Sequence, residues 1–206
     1  MSKLNVLIVD DHSILREGLK TLLSSKGDMV VAGDASSGAE AVEMAVRLKP
    51  DVIVMDLLMP GMDGVETTRT LLGKWPDANV LIFTSYGTAD GIAHALAAGA
   101  RGAILKNAAL DELVAAIRIV AAGGEWVSSE IRRIIRDEPP VQPLSPRQGE
   151  ILAAIVRGMT NADIASQLGI GIDMVKSHVN TLFAKIGASN RAEAAAIALR
   201  KHLLKV

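Results

Sequence analysis

Hydrophobic and polar positions change their rhythm twice along this chain. Up to residue 125, short, mainly apolar runs stand at 5–9, 30–34, 52–55, 80–84 and 102–105. Between them lie segments with apolar residues spaced three and four apart, at 13–24, 38–47, 64–74, 89–97 and 111–122. Apolar runs this short suit strands buried on both faces, and their alternation with amphipathic helices predicts βαβ units. The expected fold class is therefore α/β, a five-stranded doubly wound parallel sheet, followed by a small all-α domain.

The rhythm breaks at Gly123-Gly124. A short helix is expected around 129–136, and "DEPPVQP" then reads as an extended, proline-stiffened linker. Beyond it the period is helical only, and capping residues mark four helices. Ser145 with Pro146 and Gln148 forms a capping box with proline at the first helical position. Thr160 with Asp163 opens a second helix, which Gly169 ends. A third runs from about 172 to 186 and stops at Gly187, and Asn190 with Glu193 opens the last. The expected division is a domain over 1–125, a linker over 126–143 and a helical domain over 144–206.

Composition narrows the chemistry. The 206 residues are 50% hydrophobic but include no cysteine, which excludes disulfides, thiol catalysis and cysteine-ligated zinc. No charged-then-apolar leader opens the sequence and no apolar run approaches membrane-spanning length, so a soluble cytoplasmic protein without a membrane partner is expected. Charge is divided unevenly: 11 Lys and Arg against 16 Asp and Glu over 1–125, but 8 against 4 over 144–206. An acidic first part and a basic last part point to different partners.

The ends of the predicted strands carry the candidate chemistry. Asp10 and Asp11 follow the first, Asp56 the third, Thr84 and Ser85 close the fourth, and Lys106 follows the fifth. At the C-terminal edge of a parallel sheet, side chains at strand ends share the crevice where such folds bind ligands. Three neighbouring carboxylates repel one another unless a divalent cation sits among them, and Mg²⁺ accepts carboxylates, waters and phosphate oxygens. With Asp56 as nucleophile and Thr84 and Lys106 holding the product, such a site phosphorylates its own aspartate.

These residues resemble a known family. "VLIVDDH", "DVIVMDLLMPGMDG", "TS" and "GAILKN" are similar to the receiver domain of two-component response regulators, over the whole of 1–125. The resemblance implies that Asp56 accepts phosphate from a sensor histidine kinase, and that Asp10, Asp11, Asp56 and the backbone carbonyl of Leu58 organise Mg²⁺. Two positions depart from the pattern. Ala103 stands where receivers usually carry an aromatic whose rotamer responds to phosphate, with Tyr86 as a nearby substitute, and Asn107 follows the lysine. A smaller conformational response is expected.

In the third C-terminal helix, Val175, Val179, Leu182, Phe183 and Ile186 form a core stripe. Asp173, Lys176, Ser177, Asn180 and Ala184 then share the outward face, where Lys176 and Asn180 can meet guanine and adenine edges. The preceding short helix and the "GIGI" turn suggest a helix-turn-helix. The stretch "LSPRQGEILAAIVRGMTNADIASQLGIGIDMVKSHVNTLFAKIGASNRAEA" resembles the LuxR-type DNA-binding domain of NarL/FixJ regulators. That resemblance implies DNA contacts by Lys176, Ser177 and Asn180, a phosphate contact by Lys185 and a dimer surface around 194–199; His178 flanks the core stripe, so packing or backbone bonding is expected of it rather than base reading. Gly171, at the start of the third helix, replaces a usual Ser or Thr cap.

The function expected is that of a phosphorylation-dependent transcriptional regulator, not an enzyme. It would bind double-stranded promoter DNA as a homodimer, with RNA polymerase a possible further partner. An aspartyl-phosphate phosphatase would need a second acid at position 58, which is leucine. A regulator that binds DNA independently of phosphorylation is the alternative that Ala103 raises.

Overall fold

The structure, a computed structural model, describes residues 3–85, 89–137, 144–201 and 203–204. The chain divides into two compact units, Met1–Pro139 and Pro140–Val206. Tyr86 and the linker segment 138–143 lie outside the described residues.

The first unit alternates strands and helices: β1 (Leu4–Val9), α1 (Ser13–Ser24), β2 (Met29–Ala35), α2 (Gly38–Leu48), β3 (Val52–Met55), α3 (Gly64–Lys74), β4 (Val80–Thr84), α4 (Ala89–Ala97), β5 (Gly102–Leu105), α5 (Leu110–Ala121), β6 (Trp126–Val127) and α6 (Ser129–Asp137). The strands pair in parallel in the order β2-β1-β3-β4-β5-β6. Every residue of β3, β4 and β5 is buried, which is why those runs are apolar without alternation. Two cores result. Leu19 and Leu23 of α1 and Leu113 and Ile117 of α5 pack on one face; Val42 of α2, Leu71 of α3 and Ile92 of α4 pack on the other.

The sheet has six strands, one more than expected. Trp126 pairs with Gly102 and Val127 with Ala103, and Ser128 accepts a hydrogen bond from the Ile131 backbone N–H at 3.2 Å to cap α6. A side chain at position 102 would collide with the Trp126 carbonyl oxygen, so Gly102 lets the new strand approach. Ile131 is fully buried in the same core as Ala103, Ile92 and Ala95, with Ile134 and Ile135 packed against it. Residues 126–137 therefore belong to the sheet unit, not to a linker. The correction has a physical source: a two-residue strand is too short to show a period.

Order reversal places β1 beside β3, with the chain leaving them in opposite directions, so their C-terminal ends open a crevice. The loop after β3 folds back tightly there. Gly64 donates to the Leu57 carbonyl at 2.9 Å, and a Cβ at Gly64 would strike the Asp56 carbonyl oxygen. Glycine is needed for that close approach.

In the second unit the described elements are α7 (Pro146–Val156), α8 (Asn161–Leu168), α9 (Ile172–Ile186) and α10 (Arg191–Arg200). Ser145 with Gln148 and Thr160 with Asp163 form capping boxes, and the Asn190 side chain accepts from the Glu193 N–H. Gly169 and Gly187 end α8 and α9 in the left-handed conformation. Ile151, Leu152, Ile155, Ile164, Val175 and Leu182 form the centre of its core. Among the described residues no helix is long and apolar enough to cross a membrane.

Candidate functional site

Three strand ends deliver charged groups to one point. Asp10 and Asp56 are 1% and 4% exposed, and the Lys106 ammonium lies 2.6 Å from Asp10 Oδ2 and 2.9 Å from Asp56 Oδ2. The Asp56 backbone N–H donates to the Val9 carbonyl at 2.8 Å, so the β1–β3 ladder itself holds the carboxylate in place. Asp56 Oδ1 accepts from the Leu57 N–H at 2.7 Å. Asp11 sits at the rim, with its side chain 29% exposed. Thr84 is buried, and its hydroxyl oxygen has no hydrogen-bond partner. An unmet buried hydroxyl costs about 1–3 kcal/mol, and a ligand oxygen would recover it. Leu58 follows on the loop with its side chain 45% exposed.

The electrostatics follow from burial. Removal from water pushes the Asp56 carboxyl above its ordinary value, and the Asp10 charge adds to this; Lys106 and the Leu57 N–H only partly offset it. Burial alone would lower the Lys106 ammonium, but hydrogen bonds and charge from Asp10 and Asp56 outweigh it and hold Lys106 up. Net, the pocket holds more negative charge than its lysine balances. Ligand atoms of Asp10, Asp11, His12 and Asp56 lie within 4.8 Å of one another. Clustered carboxylates, together with a buried hydroxyl lacking a partner, are a donor set that fits a hard divalent cation and a phosphoryl oxygen.

Two residues here escaped the sequence reading. Arg16 of α1 donates to the Asp10 carbonyl at 2.6 Å and to Asp34 at 3.0 Å, fixing the turn after β1 from behind. The amphipathic period of α1 identifies its polar face but not what that face grips. The other is His12, whose ring nitrogen lies 3.1 Å from Asp10 Oδ1. Position 103 is also clearer: Ala103 is fully enclosed in the core that Ile131 completes.

The second unit presents one polar helix face. Val175, Val179, Leu182 and Ile186 are buried and Phe183 packs beside them, leaving Asp173, Lys176, Ser177, Asn180 and Ala184 exposed. Lys176 pairs with Asp173 at 2.9 Å, a surface contact worth little and easily given up. His178 is half-buried beside the core. Lys185 is also half-buried and donates to Gln148 at 3.3 Å, so it is less free than its neighbours on the helix. On α10, Ala194, Ile197 and Ala198 face their own core, whereas Ala196 and Leu199 are exposed. The surface expected around 194–199 is thus narrower than the sequence suggested.

Residues 6–118 match the response regulator receiver domain family, and 142–198 match the luxR family of bacterial regulatory proteins. The chain is a NarL/FixJ-type two-component response regulator. The transcriptional regulatory protein LiaR of Bacillus subtilis is 36% identical over 98% of this regulator and 99% of LiaR. The crystal structure of the response regulator ChrA from a heme-sensing two-component system covers 99% of the regulator and all of ChrA at 33% identity, with a TM-score of 0.59. RcsB of Salmonella enterica serovar Typhimurium, bound to a promoter with the phosphomimetic BeF3⁻, shares the fold at 22% identity, with a TM-score of 0.69 over 95% of the regulator and 98% of RcsB. The regulator's family is one of DNA-binding response regulators, not of enzymes.

The raised pKa of Asp56 makes a signed prediction. Its protonated form is favoured by folding, so the associated stability is present below the unfolded value near 3.8 and is lost as pH rises through the higher folded value. Asp56→Asn keeps the shape and removes the charge. In divalent-free buffer at neutral pH the variant should therefore melt at a higher temperature than wild type, and the gap should close on acidification below pH 3.8. A scan of melting temperature against pH for both proteins checks this; a less stable variant at pH 7 contradicts it.

Proposed function

We propose that the regulator is switched by phosphorylation of Asp56 and binds promoter DNA as a dimer. The observation that carries this is the placement of Lys106 against both Asp10 and Asp56, beside a buried Thr84 hydroxyl with no partner. An Asp56 carboxylate oxygen would attack the phosphorus of a phosphohistidine on a sensor kinase; the new O–P bond forms as the N–P bond breaks, and the histidine nitrogen leaves with its electron pair. Lys106 would follow one phosphoryl oxygen and the Thr84 hydroxyl would donate to another. Asp10, Asp11, Asp56 and the Leu58 carbonyl would hold Mg²⁺, which when bound supplies positive charge to the phosphoryl oxygens.

DNA binding would use α9. Lys176 and Asn180 lie one turn apart on its exposed face, with Ser177 beside Lys176, and the three suit base edges in the major groove, while Lys185 suits a phosphate. The name of LiaR and the promoter-bound state of RcsB support a transcriptional role. Exposed Leu199 and Ala196 on α10 offer apolar surface for the dimer. The enclosure of Ala103 favours a second reading, in which DNA binding does not depend on phosphorylation, because a buried alanine has no rotamer to change.

Two experiments test these roles. Incubation with a small-molecule phosphodonor and Mg²⁺ should add one base-labile phosphoryl group by intact mass to wild type and none to Asp56→Asn; a phosphorylated Asn variant would remove Asp56 from its role. On a duplex selected from random DNA, Lys176→Ala and Asn180→Ala should each cost about 1–3 kcal/mol and relax sequence preference. Lys185→Ala should weaken cognate and scrambled duplexes alike and reduce the salt slope by about one. Equal losses for the Lys176 and Lys185 variants on both duplexes would refute the assignment of α9 as the reading helix.

A further inference from the structure

We propose that Met174 is a further specificity-determining residue of α9, and that it reads the C5-methyl group of a thymine in the major groove. The inference rests on the reading of α9 as the DNA-contacting helix and adds an apolar contact to its polar ones.

Among the described residues of the second unit, three large hydrophobic side chains stand in solvent: Ile172, Met174 and Leu199. Leu199 belongs to α10, and Ile172 only begins α9. Met174 is 55% exposed, although Val175 beside it is fully buried. The helical period accounts for the difference. α9 buries Val175, Val179, Leu182 and Ile186, and at about 100° per residue Met174 falls on one flank of the outward face. It shares that flank with Ser177, three positions on, and Thr181, seven positions on, both exposed. Lys176 lies on the opposite flank. The outward face thus carries an ammonium along one edge and a thioether along the other, with Asp173 and Ser177 between them.

Position along the helix agrees with a reading role. Met174 is the third residue of α9, and a recognition helix meets base edges with its N-terminal residues. That first turn is held in place. The Met174 and Val175 N–H groups donate to the Gly171 carbonyl at 3.0 and 3.1 Å, and Val175 anchors the turn in the core. The approach is open as well, since a Cβ at Gly171 would have no described neighbour within 4 Å.

Chemistry selects the base. In the major groove thymine alone offers an apolar group, its C5-methyl, whereas the other bases show acceptors and amino donors. A thioether is a poor partner for those. It is unbranched and polarizable, so it adapts its shape to a methyl group. In the free protein Met174 stands in water; against a thymine methyl both groups leave it.

The test uses the full chain and a duplex selected from random DNA. Each thymine of the selected site is replaced in turn by deoxyuridine, which removes the methyl and keeps the pairing edge. Loss of one buried methyl corresponds to about a fourfold loss of affinity, expected for wild type at one thymine position. Met174→Ala should lose nothing from that replacement. Met174→Leu and Lys176→Ala should both keep the sensitivity, because an apolar side chain remains at position 174. A wild type indifferent to deoxyuridine at every thymine, or an alanine variant as sensitive as wild type, would overturn the proposal. The reading of α9 would still stand if Lys176→Ala relaxes sequence preference. Should Lys176→Ala and Met174→Ala both bind and select DNA as wild type does, the reading of α9 and the proposal fall together.

Discussion

The contact between the Lys106 ammonium and the two buried carboxylates, Asp10 and Asp56, is the constraint on which the regulator's first unit depends. Like charges at the ends of adjacent parallel strands oppose folding unless a cation lies between them. Lysine supplies one positive charge from β5, two strands from β3 and three from β1, so β4 must pair with both β3 and β5 for the lysine to reach. Register does that: Thr84 pairs with Leu105, and the Lys106 N–H donates to the Thr84 carbonyl at 2.8 Å. Sheet order, strand length and site chemistry are thereby one arrangement. One lysine leaves part of the carboxylate charge unbalanced, and the Thr84 hydroxyl stays unmet.

Much of this was legible because the relevant signals are local and periodic. The runs 52–55, 80–84 and 102–105 match β3, β4 and β5 at both ends, since fully buried strands cannot admit a polar residue without ending. Capping residues were as informative: Ser145, Thr160 and Asn190 each accept the backbone N–H expected of them. β6 was not legible. Two residues carry no alternation, and its pairing depends on Gly102, which is distant in sequence and looks like any other glycine. Arg16 and His12 were missed for a related reason, because what they grip is fixed by tertiary placement. The outward face of α9 was readable from its period, yet the bond from Lys185 to Gln148, 37 positions apart, was not.

The addition of β6 and α6 alters how position 103 is understood. Read as sequence, Ala103 is a missing aromatic. In the fold it is a small residue that allows Ile131 to join the core on that face of the sheet. A larger side chain would have to move packed neighbours, which typically costs about 1–3 kcal/mol. That face of the sheet is the one α6 covers, with Ile134 and Ile135 at its margin. That is a physical difference from a receiver with an aromatic there, not merely a substitution.

Carboxylates crowded at the sheet edge require a cation, and Lys106 is the one that the described residues place against them. Replacement of Lys106 by Met keeps the stem and removes the charge. Breaking a buried ion pair by deleting one partner costs about 3–5 kcal/mol. The melting temperature of Lys106→Met, measured with and without Mg²⁺ against wild type, tests the claim most directly. A lower melting temperature without Mg²⁺, and a larger rise on adding Mg²⁺ than in wild type, are expected. A variant as stable as wild type, and indifferent to Mg²⁺, would contradict it.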